Sequence, residues 1–322
     1  MLTIHGLEET RLVTSAFSCT PPPSGKGVWF DLLEPTGDED RMVEDMLGVS
    51  IPTREEMQEI EVSSRLYAEN GALYMTAMIP VGFDTDAPTA TPITFILTED
   101  RLATVRYGRP KSFDLFRLRA ERGIEGLFDG RFVLIGLLEV VVDRLADGME
   151  RISANIEKIS GSVFVPRGQR EKGLEEALTA IGRAGGSVAR AEECLVSLQR
   201  LFHYLGDAHG AERLDAEGRA RLATLEADAR SLSEHAKSLD AKVNFLLSAT
   251  LGLVGLEQNT IVKIFSVLAV VFMPPTLIAS IYGMNFKAMP ELDFAWGYPM
   301  ALGLMLASVA TTFAVFKAKR WL

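Results

Sequence analysis

The sequence predicts an α+β protein in three parts: an N-terminal α/β domain over residues 1–110, a helical region and stalk over 111–258, and a C-terminal hairpin of two membrane helices over 259–322. Three observations predict it. Strand-like runs stop near residue 110 and helical periodicity takes over. Two segments near the C-terminus are apolar over about 20 residues each, the length that crosses a bilayer. Charge and apolar character are also segregated. The chain has 322 residues and a net charge of −10, yet a mean hydropathy of +0.15. Through Gln258 there are 28 Lys and Arg against 41 Asp and Glu, and from Asn259 onward five against two. An acidic body of net −13 is joined to an apolar tail of net +3.

In chain order, the runs 27–33 (GVWFDLL), 72–80 (ALYMTAMIP), 92–98 (PITFILT) and 101–107 (RLATVRY) are expected as strands, bounded by Pro, Gly and Asp. Between them, 38–49 and 53–61 are expected as short helices, with Thr53 and Glu56 spaced as a capping box. Apolar residues then recur at three and four from Phe113 to Val165, with a break at Pro166-Arg167-Gly168. A second helix is expected over Gln169–Leu205, punctuated by 206–210 (GDAHG). A third starts near Ala211 and meets no strong breaker before Pro274-Pro275. About 65 helical residues at about 1.5 Å each span roughly 95 Å, too long for one small domain. Such a helix is a stalk leading from the body into the membrane. Leu222, Leu225, Ala229, Leu232, Ala236, Leu239, Val243 and Leu246 follow a heptad-like rhythm. That rhythm fits packing on neighbouring helices or on the two preceding helices of the same chain.

Several functions are excluded. An acidic body offers no face for phosphate backbones, so no nucleic-acid partner is expected. Cys19 and Cys194 lie far apart and give neither a disulfide framework nor a zinc site. His5, His203, His209 and His235 lack metal-ligand spacing. No cleavable signal is expected from the first residues, MLTIHGLEET. No Walker motif suggests ATP use, no cofactor is implied, and no enzyme chemistry is expected.

The spans are expected over Ile261–Tyr282 and Gly297–Phe316. Lys263 opens the first, Lys317, Lys319 and Arg320 close the second, and the loop between holds only Lys287. By the positive-inside rule both chain ends face the cytoplasm. Trp296, Tyr298 and Trp321 fall near span ends, where amphipathic rings sit. Lipid is thus an expected partner.

The first span carries a stripe. Steps of three and four from Asn259 meet Val262, Ser266, Ala269, Met273, Thr276 and Ser280. Apart from Val262 and Met273 these are small or polar, while the other faces carry Ile, Leu, Val and Phe. Two readings fit: a small-residue seam between packed helices, or the lining of a pore. One hairpin cannot enclose a pore, so the second reading requires a homo-oligomer with a central axis.

Tyr282-Gly283-Met284-Asn285-Phe286, followed by Met289-Pro290-Glu291-Leu292 and Trp296-Gly297-Tyr298-Pro299, resembles the signature of the CorA magnesium transporters, of the two-transmembrane GxN superfamily of divalent-cation channels. The likeness extends upstream through Glu257-Gln258-Asn259 and Phe272-Met273-Pro274-Pro275-Thr276, and more weakly to Trp29-Phe30-Asp31-Leu32 and Thr104-Val105-Arg106. It implies a funnel-shaped homopentamer whose first spans line a Mg²⁺ pore, with Co²⁺ and Ni²⁺ as secondary ions. It implies that Gly283, Met284 and Asn285 form the outer mouth, the Asn285 ring receiving the hydrated ion. Mg²⁺ sheds water reluctantly, so amide and carbonyl acceptors suit its water shell. Asn259, Met273 and Thr276 correspond to pore positions, with Met273 as a hydrophobic gate. The adjacent Pro274-Pro275 is expected to bend the span, as a static kink or as a gating hinge. Glu291 in the outer loop either draws cations to the mouth or is a solvated acid.

The resemblance also implies closure by Mg²⁺ bound to carboxylates between cytoplasmic domains, at positions no motif locates. One departure stands out: Ser248 occupies the position, eleven residues before Asn259, where relatives often carry an aspartate. A zinc transporter of the same superfamily and a non-transporting sensor or scaffold remain as rival readings.

Overall fold

The computed structural model describes residues 1–8, 11–16, 27–85, 88–124, 129–165, 173–284, 289–290 and 295–319. The chain forms two compact units, Met1–Leu247 and Ser248–Leu322.

The first unit is built on a seven-stranded sheet. Its strands are β1 (Leu2–Glu8), β2 (Arg11–Ala16), β3 (Gly27–Leu33), β4 (Leu66–Glu69), β5 (Ala72–Val81), β6 (Thr89–Leu97) and β7 (Leu102–Arg106), in the order β2-β1-β3-β7-β6-β5-β4. Every neighbouring pair is antiparallel except β3 and β7. The four strands read from composition are β3, β5, β6 and β7. The edge strands β2 and β4, and β1 beside β2, were not expected. They are short or, in β1, interrupted by His5 and Gly6, where the register with β3 shifts.

Strand alternation divides the side chains between two faces. Leu2, Ile4, Phe30, Leu32, Tyr74, Ile96, Ala103 and Val105 form one apolar cluster. Onto it pack Val43 of α1 (Gly37–Leu47), Met57 of α2 (Arg54–Met57) and Val49 between these two helices. Both helices start at a capping box, Thr36 with Glu39 and Thr53 with Glu56, each satisfying two orphan donors. A third short helix, α3 (Val62–Arg65), precedes β4.

The opposite face carries Trp29 and Phe95, which meet Phe113 and Phe116 of α4 (Lys111–Glu121). The single helical segment expected over 113–165 is two helices: α4 ends near Arg122, and α5 runs Gly130–Val163. The chain leaves α4 through Gly123, whose φ of +98 favours glycine. Asp129 then caps α5 by accepting from the Arg131 and Phe132 amides. A Cβ at Gly130 would stand 2.4 Å from the Arg101 carbonyl carbon and the Leu102 nitrogen, so only glycine lets α5 start against β7.

Helix α6 (Leu174–Gly206) starts later than expected, and residues 166–172 lie outside the described residues. A short α7 (Ala208–Ala211) leads to α8 (Ala216–Tyr282), 67 residues long. The rhythmic positions Leu222, Leu225, Ala229, Ala236, Leu239, Val243 and Leu246 are buried within one chain, as is Ser233 in place of the half-buried Leu232. Intrachain packing therefore accounts for them. Gln199 of α6 donates to the Ala229 carbonyl (3.0 Å), and Arg221 forms a bidentate pair with Glu139 of α5 (2.8 Å for both contacts).

The second unit holds the C-terminal part of α8 and a last helix, α9 (Gly297–Ala318). Both helices are long and apolar enough to cross a membrane. Helix α8 does not stop at Pro274-Pro275 but runs through them to Tyr282. Their missing N–H groups leave the Val270 and Val271 carbonyls without the usual donor four residues on.

Candidate functional site

On α8, the seven stripe positions Asn259, Val262, Ser266, Ala269, Met273, Thr276 and Ser280 are all exposed in the single chain. Val262 and Met273, the bulky members, are 61% and 66% exposed. The half-covered positions are Val267, Val271, Pro274, Pro275, Ile278 and Tyr282. At 3.6 residues per turn these lie about half a turn from the stripe. The hairpin thus covers one side of its first helix and leaves the stripe on the other.

Two hydroxyls of the stripe are committed to their own backbone. Ser266 Oγ donates to the Val262 carbonyl (2.8 Å) and Thr276 Oγ1 to the Phe272 carbonyl (2.8 Å). The same back-bonding recurs at Thr260, Thr311 and Thr312, each to the carbonyl four residues before. In a bilayer core a polar group finds no water, so a hydroxyl proton returns to the nearest carbonyl. The hydroxyl oxygen then presents only lone pairs outward.

At the end of the span the Gly283 amide donates to the Ala279 carbonyl (2.9 Å) and the Met284 amide to the Ile281 carbonyl (3.2 Å). A Cβ at Gly283 would press on the Ala279 oxygen at 3.0 Å, so a small residue suits this closing turn. Gly283 and Met284 are exposed. Asn285, Lys287, Glu291 and Asp293 lie outside the described residues. Trp296 (79% exposed) and Tyr298 (76%) stand at the start of α9. Among the described residues, no group of three or more His, Cys, Asp or Glu is placed to hold a metal ion.

Sequence reasoning missed one cluster of buried polar groups in the first unit. Asp31 and Arg106 pair bidentately (Nε–Oδ1 2.9 Å, Nη2–Oδ2 2.7 Å). Thr104 donates to Asp31 (2.8 Å) and accepts from the Trp29 indole (2.9 Å). His5 stacks on Trp29 with ring centroids 4.4 Å apart. Burial, with the Asp31 charge opposing it, lowers the His5 pKa to about 4. The available signal was the alternation in β1 and β3, which places His5 and Asp31 among apolar neighbours.

These features define a class first: a mixed-sheet domain whose last helix continues into an apolar two-span hairpin, with a small and polar stripe on the first span. Comparison with known proteins makes the class specific. The model of the CorA-like Mg²⁺ transporter protein family matches residues 24–320, and the chain belongs to that family. It is 36% identical to "Magnesium transport protein CorA" of Haemophilus influenzae and 34% identical to the protein of that name from Escherichia coli K12, each over the full length of both chains. Its fold resembles the complete structure of the CorA magnesium transporter from Methanocaldococcus jannaschii, with a TM-score of 0.79 at 17% identity over 100% of this chain and 99% of that one. The two C-terminal apolar helices are therefore the spans of a membrane protein, sited in the inner membrane as in CorA transporters, whose work is Mg²⁺ transport and not catalysis.

Proposed function

We propose that the chain assembles as a homopentameric Mg²⁺ channel of the cytoplasmic membrane, with both termini in the cytoplasm, passing Mg²⁺ inward down its electrochemical gradient. Co²⁺ and Ni²⁺ are its secondary ions. Five first spans line the pore with Asn259, Val262, Ser266, Ala269, Met273, Thr276 and Ser280. Gly283, Met284 and Asn285 form the outer mouth, and Glu291 concentrates cations there.

The observation that carries this reading is the stripe: it faces away from the covered side of the hairpin, and its Ser266 and Thr276 hydroxyls have already given up their protons. Acceptor-only oxygens match a hydrated cation, whose outward-facing groups are water hydrogens. They bind the shell weakly enough for release. The Met273 ring supplies an apolar constriction that closes by dewetting. The acidic body supplies carboxylates that bind Mg²⁺ between copies and hold the closed state, and Ser248 leaves the inner end of the pore without an acidic ring.

The test is Mg²⁺ flux into liposomes with the full chain. Asn285→Ala is expected to abolish uptake while the oligomer stays assembled, and hexaamminecobalt, whose ligands do not exchange, is expected to block the unsubstituted protein. Unchanged flux in Asn285→Ala overturns the pore assignment. Zn²⁺ uptake exceeding Mg²⁺ uptake in the same vesicles would favour the zinc reading.

A further inference from the structure

A cavity of about 320 Å³ opens on the face of the sheet where β1, β3 and α4 meet. Its lining includes His5, Asp31 and Arg106, which are 1%, 6% and 8% exposed, and Arg109 and Arg117. A volume above about 300 Å³ is that of a small-molecule pocket.

The polar groups at its floor differ in what they have left to offer. Asp31 is used up, since Arg106 spans both its oxygens and Thr104 adds a third bond. Arg106 spends its remaining nitrogen on the Gly108 carbonyl (3.2 Å). A cation therefore finds no open carboxylate at the floor. His5 is different. Its Nδ1 lies 3.1 Å from Thr14 Oγ1, and Thr14 Oγ1 lies 3.3 Å from Glu121 Oε1. A carboxylate only accepts, so the one Thr14 proton goes to Glu121, and the Thr14 oxygen accepts from His5 Nδ1–H. This fixes the tautomer: Nε2 keeps a lone pair, with no donor for it among the described residues. Arg117 is shared between Asp114 and Glu121, each at 3.5 Å, and its donation to Glu121 uses Nη1. Arg109 has no ion pair among the described residues and is exposed. The pocket thus combines a buried hydrogen-bond acceptor with one uncommitted guanidinium, Arg109, and a second, Arg117, that Asp114 and Glu121 hold at its rim.

We propose that this cavity binds a hydroxyl-bearing organic phosphate, such as a sugar or nucleoside phosphate: the phosphate sits on Arg109 and Arg117, and a hydroxyl of the ligand donates to His5 Nε2. Bidentate recognition of phosphate is what guanidinium geometry favours. Hydrogen phosphate carries the same two features in one ion and is the smallest probe of the site. The proposal does not depend on the pore reading, because it concerns only residues of the first unit.

Calorimetric titration of the full-length protein in detergent tests it, with adenosine monophosphate, orthophosphate and sulfate as probes. Sulfate matches orthophosphate in shape and charge but carries no proton at neutral pH. Orthophosphate is expected to bind roughly tenfold or more tightly than sulfate, the worth of one hydrogen bond to a charged group. Adenosine monophosphate is expected to bind at least as tightly as orthophosphate. If it is tighter, the natural ligand is an organic phosphate. If the two are equal, it is free phosphate, and the phosphate site stands. Arg109→Gln, a change of an exposed side chain that leaves the fold intact, is expected to weaken both phosphates about tenfold. Equal affinity for sulfate and orthophosphate, no effect of Arg109→Gln, or no binding of any probe overturns the proposal.

Discussion

The two units of the chain complete themselves in different ways. In Met1–Leu247 a sheet is covered on both faces by the chain's own helices, and the buried ion pair of Asp31 with Arg106 is closed by Thr104 and Gly108. In Ser248–Leu322 the apolar window of the first span is 0% buried and that of the second 11%. Phe265, Phe272 and Met273 are each more than 60% exposed. The first unit meets water and needs nothing further to bury its core. The second exposes apolar helix faces of the kind a membrane covers, and in the proposed oligomer further copies cover the rest. A substitution in the first unit should therefore be read in stability, and one on the stripe of the second in transport.

The largest expected effect lies in the first unit. Asp31→Ala leaves Arg106 buried with an uncompensated charge, which costs about 3–5 kcal/mol. Chemical denaturation of the full chain should lose that much stability. Replacing both partners, Asp31→Leu with Arg106→Met, should recover most of it, because an apolar pair of similar size removes the stranded charge. Failure of the double variant to recover would mean that the network does more than close the sheet.

The next effect is in acid. His5 is buried neutral, with its pKa lowered to about 4 from 6.5 by burial, against the opposing pull of Asp31. Between these two values the unfolded chain binds a proton that the folded chain does not, so stability rises with pH across that window. The His5 contribution is fully present above about pH 6.5. It falls by about 1.4 kcal/mol per pH unit towards pH 4, about 3 kcal/mol in all. His5→Gln should flatten the stability profile between pH 4 and 6.5 relative to the unsubstituted protein. Parallel profiles would remove His5 as the cause.

What the sequence revealed of each unit follows from the range of the interactions involved. The two apolar helices were legible, with helix ends at Tyr282 and at Gly297 and Ala318, since a bilayer imposes one long apolar run that composition alone reports. The stripe was legible because period 3.6 is a local property. The break between α4 and α5 was not, because apolar periodicity runs across both helices. The stop is made by Gly123 in a left-handed conformation and by the close approach of Gly130 to Arg101. The Asp31–Arg106 pair was also hidden. Its members are 75 residues apart and meet through the sheet's one parallel pairing, which no short window of sequence encodes. Asn285 and Glu291 were read from the family's motif, and both lie outside the described residues.

The smallest expected change in stability comes from the stripe, and it tests the comparison most directly. Thr276→Val keeps the side-chain shape and removes one hydroxyl, whose proton is already spent on the Phe272 carbonyl. The helix loses a supplementary bond, because the Thr276 side chain only adds to backbone bonding, and single polar contacts of membrane helices average about 0.6 kcal/mol. Melting of the assembled protein should therefore barely move. Transport should not be spared in the same way. In the proposed pore a ring of acceptor oxygens facing the ion's water becomes a ring of methyl groups, and Mg²⁺ uptake should fall several-fold, while Thr276→Ser, which keeps the oxygen, should restore it. If Thr276→Val instead lowers melting and disperses the oligomer, the stripe is a packing seam, and the second unit is completed by side-chain contact in the way the first one is.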